Sequence, residues 1–147
     1  MTTTADALSD ALVAALQAVA PAGAQVLDHE AIPFRQEDLP AGGVFAVFLF
    51  RDDPGQEDAP DSEFYQLRTA IFKVELRIPQ DPSTGHLLHG TRAARKLIAQ
   101  ALRANPELGG GFNPRIGAVA VLVHETNSAI ACCAVDVHVD YVLDPDL

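Results

Sequence analysis

From Ala131 to Leu143 every second residue is apolar or aromatic. Ala131, Cys133, Val135, Val137, Val139, Tyr141 and Leu143 alternate with a set that includes Asp136, His138 and Asp140. Side chains of a strand point alternately to its two faces, so this spacing predicts one long strand with a dry face and a wet face. Arg68–Ile78 has the same period. Ala70, Phe72, Val74, Leu76 and Ile78 turn one way, Thr69, Lys73, Glu75 and Arg77 the other, and Pro79 and Pro82 end the run. Val44–Phe50 is apolar throughout and rich in β-formers, which predicts a strand covered on both faces. Val119–His124 alternates again and, with a turn at Glu125–Ser128, predicts a hairpin with the final strand. Gln25–Leu27 is a candidate short strand, followed by a turn-rich stretch holding Pro33, Pro40, Gly42 and Gly43.

Two segments carry the helical period instead. Over residues 5–20 the positions Leu8, Leu12, Ala15, Leu16 and Val19 form one stripe, Thr4 is the expected N-cap, and Asp6 stands in the first turn, where the helix dipole favours an anion. Pro21 and Gly23 stop this helix. Over roughly 86–104, Leu87, Leu88, Ala94, Leu97, Ile98, Ala101 and Leu102 make a buried stripe, Arg92, Arg95, Lys96 and Arg103 occupy the rest, and Pro106 with the Gly109–Gly111 run ends it. The element order is therefore α-β-β-α-β-β. The economical architecture is α+β: one antiparallel or mixed sheet of about four main strands, with both helices packed on one face. The other face then carries Lys73, Glu75, Arg77, Asp136, His138 and Asp140.

At 147 residues, 48% of them apolar, the chain reads as a single domain, residues 1–147, able to bury a core without metal or disulfide. Residues 52–63 break the pattern. Asp52, Asp53, Glu57, Asp58, Asp61 and Glu63 crowd together with two prolines and no cation, and self-repulsion with low hydropathy predicts a mobile exposed loop. The net charge of −10 argues against nonspecific adhesion to nucleic acid or to an anionic membrane. No apolar run reaches spanning length, and the first ten residues lack the basic start and apolar core of a secretory signal. The two cysteines, Cys132 and Cys133, are strand neighbours that point to opposite faces. A bridge between them is geometrically poor, and two buried thiols in a reducing compartment are expected.

Candidate chemistry is sparse. Asp136-x-His138-x-Asp140 puts two carboxylates and an imidazole on one strand face, the ingredients of a general base or a divalent metal site. No second cluster completes a ligand set, and His86 and His89, three apart at a helix start, lack an acidic or thiol partner at ligand spacing. There is no Gly-x-Ser-x-Gly elbow, and the triple glycine lacks the Lys-Ser/Thr of a phosphate loop. No cofactor is expected. Arg92, Arg95, Lys96 and Arg103 hold four of the ten positive charges. A basic surface on so acidic a chain suits head-to-tail contact with the acidic 52–63 segment of a neighbouring copy.

The strand Arg68–Ile78, the helix containing Gly90-x-x-Ala93-Ala94 with Leu97 and Ile98, and the closing run Ala134-Val135-Asp136-Val137-His138-Val139-Asp140-Tyr141 together resemble the tail terminator, or tail-completion, proteins of long-tailed bacteriophages. The resemblance spans roughly residues 5–143. It implies a virion structural protein without enzymatic activity, assembled in the host cytoplasm. Such a protein forms a ring, commonly hexameric, that caps the tail tube, stops its polymerisation, docks to the neck or head connector, and leaves an axial channel through which DNA passes without specific binding. Self, tube protein and connector are the implied partners, and the Asp52–Glu63 acids with the four α-helical cations are the candidate contacts. Another neck component, such as a head-completion or head–tail joining protein, fits the same pattern. A small hydrolase using His138 with Asp136 or Asp140, or a ligand-binding module of ferredoxin-like shape, stands as the alternative of a different class.

Overall fold

The computed structural model describes residues 2–32, 39–54, 66–79, 87–122 and 130–143. The elements are α1 (Ala5–Val19), β1 (Gln25–Asp28), β2 (Val44–Pro54), β3 (Gln66–Pro79), α2 (Leu87–Ala104), β4 (Phe112–Leu122) and β5 (Ile130–Leu143). Helix α1 begins where the sequence places it: Thr4 is extended, and its side chain accepts the Ala7 amide N–H. A short 3-10 turn, Leu108–Gly110, follows α2. Its Gly109 carbonyl accepts a 2.7 Å hydrogen bond from the Thr3 hydroxyl, which ties this turn to the start of α1.

The five strands form one mixed sheet in the order β1-β2-β3-β5-β4. β1 runs parallel to β2, and the remaining pairs are antiparallel. This is the α+β layout expected from the pattern, with the short strand at Gln25 added as an edge. Both helices lie on the same face. Leu8, Leu12 and Leu16 of α1 and Ala94, Ile98, Ala101 and Leu102 of α2 meet Phe45, Val47, Phe72, Val74, Val135 and Val137 in one core. β3 and β5 are central, so their alternating apolar residues are essentially sealed: Ala70, Phe72, Val74, Val135, Val137, Val139 and Tyr141 are all at 0% exposure. Each large side chain so buried contributes about 1.5–3 kcal/mol of transfer free energy.

Among the described residues, the opposite face is covered at one corner. Leu27, Ile32, Leu39, Val44, Ala46 and Cys132 form a second, smaller cluster there, with Phe48 packed against it. This explains why Val44–Phe50 is apolar on both sides at its start: Val44 to Val47 are buried, whereas Phe50 is 57% exposed. Cys132 and Cys133 are buried on opposite faces and form no disulfide, and burial pushes the Cys132 thiol up, against a smaller opposing pull from Arg77.

Two strands are longer than their patterns predict. β2 continues to Pro54 because a register shift between Leu49 and Arg51 inserts one extra residue, a β-bulge that turns Asp52 onto the helix side. β4 starts at Phe112 instead of Val119, and two register shifts, at Phe112/Arg115 and Ile116/Val119, reset its alternation twice.

Candidate assembly surfaces

The helix-free face of the sheet can be read row by row from the register. One row runs Arg51, Ile71, His138, Arg115, and the next Asp53, Thr69, Asp140, Phe112. Lys73 lies opposite Asp136 across the β3–β5 pair, yet its ammonium sits 4.3 Å from the centre of the Phe50 ring, a cation–π contact with the bulged residue. Asp136, His138 and Asp140 do emerge on this one face, as the alternation requires. Asp140 is then taken up by its neighbours. Arg115 grips it through two nitrogens at 3.0 and 3.3 Å, the Thr69 hydroxyl donates at 2.7 Å and the Asn113 amide at 3.2 Å. His138 forms no hydrogen bond to either carboxylate among the described residues. Its ring lies across β4, where a Cβ on Gly117 would overlap Nε2, so glycine at this bulge is what lets the imidazole lie flat on the sheet. Among the described residues no group of three His, Cys, Asp or Glu is placed to hold a metal ion.

Burial by itself would raise the Asp140 carboxyl, but the hydrogen bonds from Thr69, Arg115 and Asn113 outweigh it and hold the group below its ordinary value. A carboxyl lowered by folding stabilises the native state above its unfolded value, about pH 4, and that contribution disappears as pH falls through the lower native value. Asp140→Asn should therefore cost about 1 kcal/mol near pH 7, a modest figure because Arg115 is partly exposed to water. The difference in urea midpoint between the two proteins should shrink below pH 3, and a gap independent of pH would contradict this role.

On the helix side, the bulge in β2 brings Asp52 to Tyr141. The tyrosine hydroxyl donates to Asp52 Oδ2 at 2.7 Å, while Arg68 Nε donates to Asp52 Oδ1 at 3.1 Å and its terminal nitrogen to the Asp52 carbonyl at 2.9 Å. Burial pushes the Tyr141 hydroxyl up, and the Asp52 carboxylate reinforces that shift. For Arg68, burial acts to lower the guanidinium, and Asp52 and Tyr141 overcome it, so it is raised. Asp52 thus belongs to an internal staple across β2, β3 and β5. Asp53 pairs with Arg51, 2.9 Å away. The expected loop beginning at residue 52 gives way here to ordered strand, because the bulge finds these two acids partners. Glu57, Asp58, Asp61 and Glu63 lie outside the described residues.

Arg92, Arg95, Lys96 and Arg103 are exposed along α2 and form no ion pair among the described residues. At the C-terminal end of α2 a cleft of about 400 Å3 opens between the helix and β4. Leu102, Pro106, Pro114 and Ile116 are among its apolar lining, and Arg103 and Arg115 stand on it. Hydropathy periodicity carries no sign of this cleft, since it joins a helix end to a strand whose start is hidden by bulges. His86 lies outside the described residues. No helix among the described residues is long and apolar enough to cross a membrane.

These features define an α+β fold with a polar, helix-free sheet face and an internal polar staple. No family model matches the sequence, and no curated protein sequence matches it. Among solved structures, the chain is similar to the sheath/tube terminator of an extracellular contractile injection system, PVC, in its extended state. The TM-score is 0.61 at 10% identity, over 98% of this chain and 57% of that protein. This chain therefore spans little more than half the length of the protein it resembles, and at such identity the likeness establishes the shared fold.

Proposed function

We propose that this chain is a structural subunit of a phage-tail-like assembly, a terminator that closes a tail tube. The observation that carries the reading is the fold match to a sheath/tube terminator over nearly the whole chain, alongside a sequence pattern that resembles tail terminators. The protein assembles as a ring, six copies in number, that halts tube growth and offers its outer face to a neck or head connector. A net charge of −10 suits an axial channel that lets DNA pass without trapping it. The helix-free sheet face, polar and half-buried at Lys73, Asp136, His138 and Asp140, is offered to neighbouring subunits or tube proteins.

Negative-stain electron microscopy of the purified protein, alone and with tubes of the tube protein encoded in the same gene cluster, tests this. Closed rings of uniform diameter, free or seated on tube ends, are the expected result. A protein that remains monomeric both alone and in the presence of tubes would remove the reading.

A further inference from the structure

The charges of this chain are sorted by sheet edge. Between Ala5 and Glu30, which build α1 and β1, the sequence has four acids (Asp6, Asp10, Asp28 and Glu30) and no Lys or Arg, and all four are exposed. Between Leu87 and Leu122, which build α2 and β4, it has five cations (Arg92, Arg95, Lys96, Arg103 and Arg115) and one acid, Glu107. β1 and β4 are the two edges of the sheet. Four strand spacings separate them, about 19 Å, more than twice the screening length of about 8 Å at physiological ionic strength. Asp28 and Glu30 beside β1 therefore barely feel Arg115 on β4, and the charges at each edge are left to attract an opposite charge from outside.

Neither edge is built to add a strand. β1 has four residues. Beyond it the His29 imidazole accepts the Leu49 amide N–H at 2.9 Å, which ends the ladder with a side chain. β4 carries two register shifts and Pro114, devices that blunt an edge. Backbone pairing between copies is thus disfavoured on both sides. Arg115 is already paired with Asp140, while the cleft beside β4 sets Arg103 over apolar walls, a place where a carboxylate with an aliphatic stem fits.

We infer that copies of this chain join head to tail, the acidic α1/β1 edge of one docking on the basic α2/β4 edge and cleft of the next. This names the contact within the ring proposed above and rests on that reading. The contact is heterologous, as ring closure requires, because each copy uses two different surfaces.

Charge exchange tests it. One variant, Arg95→Glu with Arg103→Glu, cancels the positive excess of the α2/β4 edge. A second, Asp10→Lys with Glu30→Lys, cancels the negative excess of the α1/β1 edge. All four residues are exposed, and thermal unfolding should show both variants folded as the parent is. In sedimentation experiments at low salt the unaltered chain should self-associate, less so at 0.5 M salt. Each variant alone should associate about tenfold more weakly, and the equimolar mixture should recover association, because the unaltered acidic edge of one variant meets the unaltered basic edge of the other. Variants that associate like the parent, or a mixture that fails to recover, would overturn the edge pairing while leaving the ring itself standing. A parent that shows no self-association at low salt also overturns it, and rings on tube ends in the microscope would then show that the terminator reading survives without it.

Discussion

Replacing Gly42 by alanine should lower stability by about 3 kcal/mol, at the upper end of what overpacking costs. Two tight turns meet back to back at this point. Ala24 N–H donates to the Pro21 carbonyl, Gly43 N–H to the Pro40 carbonyl, and Gln25 N–H to the Gly43 carbonyl, so the pairing of β1 with β2 begins where the turns touch. A Cβ on residue 42 would overlap the Ala24 amide nitrogen and lie 2.7 Å from the Ala22 carbonyl oxygen and 2.8 Å from the Gly23 carbonyl carbon. Every one of these atoms is backbone, so no side-chain rotamer relieves the contact, and the turn at 21–24 must move with β1 attached. Urea unfolding should show the midpoint falling with the slope unchanged. A midpoint equal to the parent's would mean that the two turns are not in contact.

The second large effect is expected at Asp52. Asp52→Ala removes the acceptor of the buried Tyr141 hydroxyl and the partner of Arg68 in one step. The aromatic ring stays sealed at 0% exposure, so the hydroxyl keeps its desolvation cost without its hydrogen bond, and the guanidinium loses its counter-charge. Together these should destabilise the fold by about 2–3 kcal/mol. Tyr141→Phe removes the donor along with its need for a partner and should cost only about 1 kcal/mol. The doubly substituted protein should then be less damaged than the sum of the two, because the orphaned hydroxyl no longer exists. Strict additivity would show that the three groups do not act as a unit.

The outcome at Asp52 also marks where sequence patterning stops being informative. The central strands were legible because their alternation is unbroken: Ala70–Leu76 and Cys133–Tyr141 face the core as the period of two requires. The helices were legible from caps and stripes. The alternation in β2 and β4 covers only part of each strand because a bulge adds one residue and inverts the parity of all that follows. Asp52 therefore looks like the start of an acidic loop, although it is the last inward-facing link between three strands. In β4, Asn113 at a positive φ of 52° and Pro114 look like the end of structure, yet they are the device that carries an edge strand past a register shift.

The candidate surfaces were legible in part. The exposed cations of α2 follow directly from helical spacing, and the shared face of Asp136, His138 and Asp140 follows from strand spacing. What spacing could not supply was the partner of each group. Asp140 is held by Arg115, which reaches it only because β4 starts seven residues earlier than its alternation suggests. The segregation of charge between the two sheet edges likewise needs the strand order, since β4 lies outside β5 and β1 outside β2. Composition reports a net −10 and hides the fact that one edge is basic.

The most direct measurement is the length of tail tubes polymerised with and without this protein, imaged by electron microscopy. The account predicts that substoichiometric amounts, a few rings per tube, leave tubes capped at one end by a ring and no longer able to extend when fresh tube protein is supplied. Tubes that bind no cap and elongate at the same rate in its presence would contradict it.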